Sequence, residues 1–353
     1  MHAITTVGRS MAEQRCHLIF GLIADIQYAD SDDGYNYRKT RRRFYRAALT
    51  LLMKAVADWK ANRPDMKFVL QLGDIIDGIN RRQNGMGAAS KALNTVLAPF
   101  DDLACPTYHM VGNHDLYNFQ RLEIFGSDLN SSKLPSVQGV SGELYYSVLV
   151  HSCLRIIVLD TYDVSVLGYQ DHQDHPHYKT AVALLEKFNF NKDKNSSDGL
   201  KGMDKRFVAW NGGVGEKQLA WLDEQLTDAD SKQQNVLICG HIQLHAEDIY
   251  DVLCLLWNYQ EVLAVLHAHR CVVGCVAGHD HDGSLTVDSA GISHLVLNGV
   301  IETDSSTNAY ATAFLKDKTL EIQGAGIVPS VTMPLRYFAG KNIAGPYLSG
   351  ANL

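Results

Sequence analysis

The sequence predicts a layered α/β domain with one or two mixed sheets. Three observations carry that prediction. Short apolar runs of strand length alternate with stretches of helical periodicity through most of the chain. Several of those runs give out directly into Asp, Asn, His or Gln. The last part, 292–324, alternates in the two-residue period of antiparallel strands.

Residues 18–24 (LIFGLIA) and 68–72 (FVLQL) read as buried strands, each running into a carboxylate. Between them, apolar residues at 44, 48, 51, 52, 55, 56 and 59 have helical spacing, which predicts a helix over 38–60. A second helix is expected near 88–100, followed by a strand at 107–111 that leads to Gly112. Segments 144–150 and 155–160 read as a pair of strands joined by a short turn. The stretch 170–205 is polar and rich in His and Lys, and it carries the turn sequence Asn195-Ser196-Ser197-Asp198-Gly199. It reads as a surface insertion. A helix follows at 215–227, with Leu219, Leu222 and Leu226 on one face. Strand 235–239 leads to Gly240-His241, and helix 255–269 precedes strand 271–277, which leads to Gly278-His279. No linker divides the chain. The expected organisation is a polar N-terminal extension (1–16), one domain (17–330) and a C-terminal tail (331–353).

Bulk properties exclude some classes of function. A formal charge of −7 argues against a basic surface for nucleic acid. No apolar run approaches the roughly 18–20 residues of a membrane span, and Met1 to Cys16 lacks the apolar centre of a signal peptide. The seven cysteines are odd in number and without framework spacing, and Cys239, Cys271 and Cys275 sit within apolar runs as buried thiols do. A reduced compartment, the cytoplasm, is expected. No feature calls for an obligate protein partner.

Five motifs carry the chemistry: Asp25-Ile26-Gln27, Gly73-Asp74-Ile75-Ile76-Asp77, Gly112-Asn113-His114-Asp115, Gly240-His241 and Gly278-His279-Asp280-His281. A strand that stops and at once offers oxygen and imidazole ligands builds a metal site at one edge of a sheet. Any one of these motifs alone is more often a turn. Five in one chain supply the ligands, the bridging carboxylate and the room for water that two neighbouring divalent cations need. Asp74 suits the bridge, because a carboxylate offers one oxygen to each cation. Imidazole and oxygen ligands without thiolate suit Mn²⁺, Fe or Zn²⁺. The glycines at 73, 112, 240 and 278, each directly before a ligand, are expected to let the backbone turn sharply and approach the cations closely.

In order and spacing the motifs resemble the calcineurin-like metallophosphoesterase superfamily, whose pattern is D-x-[HQ], G-D-x-x-D, G-N-H-[DE], a later H, and G-H-x-H. The resemblance spans 25–281. It implies a central β-sandwich of mixed sheets flanked by α-helices. It also implies that Asp25, Gln27, Asp74 and His281 hold one cation, and Asp74, Asn113, His241 and His279 the other. By the same resemblance His114 acts as acid or transition-state stabiliser, with Asp77 orienting its ring. One departure stands out: the later His commonly precedes a residue and a proline, whereas here the chain reads Gly240-His241-Ile242-Gln243. His245 is a nearby competitor, but Gly240-His241 ends the strand directly.

Gln27, where most of the superfamily has His, points to a subset. The segments at 23–49, 70–80, 112–119, 159–169, 210–227 ("WNGGVGEKQLAWLDEQLT"), 256–269 and 299–303 ("GVIET") resemble the manganese-dependent ADP-ribose/CDP-alcohol diphosphatases. That likeness implies two divalent cations, Mn²⁺ first, with Fe, Zn²⁺ or Mg²⁺ as alternatives. It implies cleavage of ADP-ribose, CDP-choline, CDP-glycerol and related small nucleotide diphosphate esters to two monophosphates by metal-activated hydroxide. A phosphodiesterase for cyclic nucleotides or other diesters is the second reading, since the same centre serves both. A noncatalytic scaffold of the same fold is the third, but scaffolds lose ligands and this chain has a residue for each.

Other residues are candidates with an ordinary alternative beside each. Arg41, Arg42 and Arg43 are expected to open the first helix, where Arg43 could grip a phosphate or the three could form a solvated face. Tyr35 and Tyr37 could stack on a nucleobase or pack. Cys254 and Trp257 could line the same pocket or the core. Asn211-Gly212-Gly213 could offer amides to phosphate or form a loop. His172, His175 and His177 read as part of the solvated insertion, and Asp160 and Asp163 as groups behind the site or caps of a turn.

Overall fold

In the computed structural model, which describes residues 15–247 and 251–338, two sheets and a short ribbon account for the strands of the described residues. The six-stranded sheet runs β15 (Val331–Pro334), β14 (Thr319–Gly326), β13 (Ala309–Lys316), β1 (Cys16–Ile23), β4 (Val69–Gln71) and β5 (Thr107–His109). The seven-stranded sheet runs β11 (Ser284–Val287), β12 (Ser293–Val296), β10 (Val272–Ala277), β9 (Asn235–Cys239), β8 (Leu154–Val158), β7 (Tyr146–His151) and β6 (Val137–Gly139). The ribbon pairs β2 (Gly34–Tyr35) with β3 (Arg42–Arg43).

Each sheet is mixed. β1, β4 and β5 are parallel to one another, while β13, β14 and β15 are antiparallel additions. In the other sheet β8, β9, β10 and β12 are parallel, and β6, β7 and β11 antiparallel. The antiparallel expectation for 292–324 therefore holds for β13 and β14, but β12 runs parallel to β10. Strands covered on both faces read as continuous apolar runs, which explains why Phe20, Leu22 and Ile23 are all fully buried. One apolar core takes residues from both sheets, including Leu22 and Met333 of the first and Ile238 and Val276 of the second.

Helix α1 (Tyr45–Asn62) buries the face that its periodicity foretells, Ala48, Leu51, Leu52, Ala55, Val56 and Trp59. Trp59 lies over Gly21, and its Nε1 donates to Thr312 Oγ1 at 3.1 Å, pinning the helix across β1 and β13. The expected start at 38 is wrong. Arg41, Arg42 and Arg43 precede the helix and do not open it, because their side chains pair with carboxylates on separate segments: Asp282, Asp33, and Asp77 with Glu302. Such reach needs extended backbone. Helix α2 (Ile79–Asp101) begins earlier than expected. Asp77 Oδ1 accepts from Ile79 N at 2.8 Å and starts a polar first stretch that carries no apolar period, with a break at Gly85.

Short helices α3 (Asn113–Asn118) and α4 (Arg121–Gly126) follow β5. Helix α5 (Pro176–Phe188) lies inside the expected insertion, which is docked and not merely solvated: Ala181 and Leu185 pack with Val164, Phe207 and Trp257. Helix α6 (Glu216–Ser231) is tied to the second sheet by Arg155 of β8, which donates to Gln225 Oε1 and Asp228 Oδ2. Helix α7 (Tyr259–His267) starts four residues later than expected, after a 3₁₀ turn at Asp251–Cys254. The boundary at 330 also falls short, because β15 continues the first sheet, with Met333 opposite Leu320 and fully buried. Of the N-terminal extension and the tail, residues 1–14 and 339–353 lie outside the described residues.

Candidate metal centre

The carboxyl ends of the parallel strands from both sheets open on one site. From the first sheet come Asp25 and Gln27 after β1, Asp74 and Asp77 after β4, and Asn113 and His114 after β5. From the second come Tyr162 after β8, His241 after β9, and His279 and His281 after β10. Within the first half Asp25 N donates to Gly73 O and Gln27 N to Asp74 O, and the two halves are joined by His279 N, which donates to Asp25 Oδ2.

The backbone itself is strained where the motifs lie. Asp25, Gln27, Asp74 and His279 have φ of 51°, 44°, 55° and 71°, a region that residues with a Cβ enter at a cost. The sharp turns expected of the four glycines thus fall mostly on the residues beside them. Gly73 alone of the four is left-handed. Gly112 supplies space instead, since a Cβ there would lie 2.0 Å from Asp74 Oδ1.

Each of three imidazoles has one nitrogen tied to an acceptor and the other turned inward. His241 Nδ1 donates to Leu72 O at 2.8 Å, leaving Nε2 3.4 Å from Asp74 Oδ2 and 4.0 Å from Asp25 Oδ1. His281 Nδ1 lies 2.9 Å from Glu302 Oε1, leaving Nε2 3.3 Å from Asp25 Oδ1. His279 Nε2 donates to Asn211 Oδ1 at 2.7 Å, leaving Nδ1 3.1 Å from His241 Nε2. An acceptor behind each ring fixes its tautomer and aims its lone pair, as it does behind metal-ligating histidines.

The electrostatics match. Burial opposes charge on every ring. Asp74 and Asp25 nevertheless raise His241 to about 9, and Asp25 with Glu302 raises His281 to about 10. Burial and the neighbouring His241 hold His279 far below the ordinary imidazole range. Asp74 is fully buried, yet His241 and His114 keep it well below the ordinary carboxylate range. Buried carboxylates here demand positive charge, which a divalent cation would provide with the imidazoles neutral.

The residues fit such an ion by a further sign. Asp25 Oδ1 and Gln27 Oε1 are buried without a hydrogen-bond partner, a costly condition for polar oxygens. Gln27 Nε2 is turned to Asp74 Oδ2 (3.1 Å) and His281 Nε2 (2.9 Å). Atoms of Asp74, His241 and His279 lie within 4.8 Å of one another. Asn113 Oδ1 accepts from Tyr162 Oη at 3.1 Å and, as an amide oxygen, keeps a second lone pair.

Beside this cluster, His114 Nδ1 is 3.0 Å from Asp77 Oδ2, and His114 N donates to Asp74 Oδ1 at 2.7 Å. Burial would raise the Asp77 carboxyl, but His114 and Arg43 hold it below its ordinary range. Three residues of the site have roles that the sequence reading does not assign. Glu302 and Asn211 stand behind His281 and His279. Fully buried Asp115 accepts from Asp74 N, Ile75 N and Gly112 N at 2.8, 3.0 and 2.9 Å. A cue exists only for Asp115, which directly follows Asn113-His114.

The substrate candidates fare less well. Tyr37 is 72% exposed, and its hydroxyl reaches Asp193 of the insertion at 3.3 Å, away from the ligand cluster. Arg43 is enclosed by Asp77 and Glu302, and it is the carboxylates that take up its donors. Cys254 is half-buried on its 3₁₀ turn, within electrostatic reach of Tyr162. His245 Nδ1 pairs with Thr286 Oγ1 at 2.9 Å, which leaves His241 as the residue in the cluster. His177 is not solvated as expected, since its Nδ1 lies 2.9 Å from buried Asp163. Asp160 pairs with buried Arg121, whose Nη1 donates to Tyr162 O.

Comparison with known proteins gives the same picture. Residues 18–283 match the calcineurin-like phosphoesterase family. A manganese-dependent ADP-ribose/CDP-alcohol diphosphatase from Danio rerio is 42% identical over 321 residues, covering 89% of this chain and 97% of the relative. One of the same name from Xenopus tropicalis is 40% identical over 332 residues, 91% of this chain and 95% of the relative. The crystal structure of a dimetal phosphatase from Danio rerio superposes with a TM-score of 0.84 at 40% identity, covering 91% of this chain and all of that one.

Proposed function

The chain belongs to the calcineurin-like phosphoesterase family, and within it to the manganese-dependent ADP-ribose/CDP-alcohol diphosphatases; from there we propose how its own residues carry out that hydrolysis. It cleaves the pyrophosphate of ADP-ribose, CDP-choline and related nucleotide diphosphate esters to two monophosphates. Asp25, Gln27, Asp74 and His281 would hold one Mn²⁺, and Asp74, Asn113, His241 and His279 the other. When bound, the pair supplies Lewis acidity and a water acidic enough to attack phosphorus near neutral pH.

The chain's own groups do the rest. The acceptors at Leu72, Glu302 and Asn211 keep His241, His281 and His279 in the tautomer that offers a lone pair. Asp77 holds His114 at Nδ1, so Nε2 is the atom that can donate to a phosphoryl oxygen or pass a proton. A nucleoside monophosphate leaves readily, so no strong acid and no covalent Ser or Cys intermediate is required. The observation that supports the assignment best is that His241 and His281 turn Nε2 toward Asp25 Oδ1, an oxygen buried without a hydrogen bond. Among the described residues no helix is long and apolar enough to cross a membrane. All seven cysteines are free thiols, which supports a cytoplasmic setting.

The experiment is hydrolysis by metal-stripped protein resupplied with Mn²⁺, Mg²⁺ or Zn²⁺, with ADP-ribose, CDP-choline, 2′,3′-cyclic AMP and AMP offered separately. Mn²⁺-dependent release of AMP or CMP from the diphosphates, with AMP untouched, is the expected result. Cleavage of the cyclic diester alone would refute the diphosphatase reading.

A further inference from the structure

We propose that Arg43 is the positioning residue that sets both His114 and His281, and that it is not a group that binds substrate. The inference rests on the assignment of His281 to a cation made above.

The geometry is a chain of five side chains. His114 Nδ1 lies 3.0 Å from Asp77 Oδ2, and the same oxygen accepts from Arg43 Nη1 at 3.2 Å. Arg43 Nε donates to Glu302 Oε1 at 3.4 Å, and that oxygen lies 2.9 Å from His281 Nδ1. One guanidinium thus clasps the two carboxylates that orient two imidazoles of the site. All members are enclosed: the side chains of Arg43, Asp77 and Glu302 are 15%, 5% and 9% exposed.

Two carboxylates so far from water are tolerated only with a compensating cation and satisfied hydrogen bonds. Arg43 is that cation, and its planar fork presents donors from two different nitrogens to both in a fixed geometry, which the single ammonium of a lysine holds less rigidly. The backbone holds it there. Arg43 ends β3, paired with Gly34, and the next residue, Phe44, donates its N–H to Ile301 O at 2.8 Å, beside Glu302. The segment carrying Arg43 is therefore fastened to the segment carrying Glu302. With Nε and Nη1 turned to Glu302 and Asp77 and the side chain only 15% exposed, the guanidinium faces the carboxylates and is poorly placed to serve a phosphate.

A substrate-binding arginine and a positioning arginine differ in what they change. Loss of the first raises KM and leaves metal uptake alone. Loss of the second loosens His281 and weakens Mn²⁺ uptake without any substrate present, and it loosens His114 and lowers kcat, with KM little altered.

The test uses full-length wild type, R43A, R43K, E302Q and R43A/E302Q, each checked by its circular-dichroism melt in the metal-free form. Mn²⁺ affinity is read from free Mn²⁺ by electron paramagnetic resonance, without substrate, and kinetics are then taken at saturating Mn²⁺. R43A is expected to bind Mn²⁺ about tenfold more weakly and to lose about tenfold or more in kcat, with KM within about threefold. R43K is expected to recover part of both, which also covers the case in which R43A does not fold. The double variant should bind Mn²⁺ no more weakly than the worse single one, since both act through the same contact. Additive losses, or a raised KM with unchanged Mn²⁺ affinity, would overturn the inference. If wild type takes up no Mn²⁺ the ligand assignment itself fails. If wild type binds and R43A binds equally well, only the role of Arg43 is refuted.

Discussion

Replacing Asp115 with Asn tests whether the centre is held by a buried carboxylate that never touches it. Asp115 is fully buried and receives three backbone N–H groups: Asp74 N and Gly112 N on Oδ2, Ile75 N on Oδ1. Asn has one acceptor oxygen. In its better orientation that oxygen keeps Asp74 N and Gly112 N, and the amide NH₂ then confronts Ile75 N, donor against donor. Burial and the neighbouring Asp74 raise the Asp115 carboxyl to about 7, so the comparison is made where it is ionised, about two units higher. There one buried donor left unmatched costs about 1–3 kcal/mol, and two bonds passing from charged to neutral acceptors lose about 1 kcal/mol each. The sum is about 3–5 kcal/mol. At about 2 °C per kcal/mol for a domain this large, the melting temperature should drop by about 6–10 °C. The assay is a thermal melt in EDTA, so that metal does not contribute, followed by an Mn²⁺ titration that should show weakened uptake because the Asp74 turn is released. A D115N melt within about 2 °C of wild type would refute the reasoning.

Three further outcomes are expected. G112A should lower Mn²⁺ affinity at least about tenfold, because its Cβ would need the space 2.0 Å from Asp74 Oδ1; unchanged uptake in a titration would count against the packing described. His109 is held by burial at about 4, well under its unfolded value of about 6.5. Its contribution is therefore complete above about pH 6.5 and is lost as pH falls toward 4, amounting to about 2 kcal/mol at pH 5. Urea midpoints of wild type and H109Q at pH 7.5 and 5 check this, and the variant should show the shallower acid loss. R121M strands buried Asp160 without its cation and should cost about 3–5 kcal/mol by urea denaturation, whereas a loss under about 1 kcal/mol would mean that the pair is not isolated from water.

The legible part of this protein is the part where chemistry forces unusual residues on a strand end. Asp25, Asp74, Asn113, His241 and His279 each follow an apolar run, and a site made from oxygen and imidazole leaves that mark locally. Helix α1 was equally legible, because its buried face repeats at 3.6 residues. Arg43 was misread for a physical reason: RRRF before an apolar helix looks like a solvated first turn, and it is carboxylates at 33, 77, 282 and 302 that hold the three arginines in an extended ribbon. The roles of Glu302 and Asn211 behind His281 and His279 were hidden for the same cause, since each acts on a histidine distant in sequence; Asn211 reads only as part of a loop that could offer amides to phosphate. The polar opening of α2 carries no apolar period, so its true start could not be seen. Nor could the orientation of β12, which depends on which neighbour it pairs with.

The seam between two sheets on which the centre lies has a consequence for biosynthesis. Asp25 and His279 touch across 254 residues, and β1 finds its antiparallel partner in β13, with His17 meeting Asp317 across 300. Contacts of such separation close late, after the loop entropy between them has been overcome. A ribosome that has released the first half of this chain has made Asp25, Gln27, Asp74 and Asn113 but not His241, His279 or His281. The first sheet still lacks the strand that flanks β1. A product truncated before His241 therefore emerges without the histidine half of the centre, whatever the state of its first sheet.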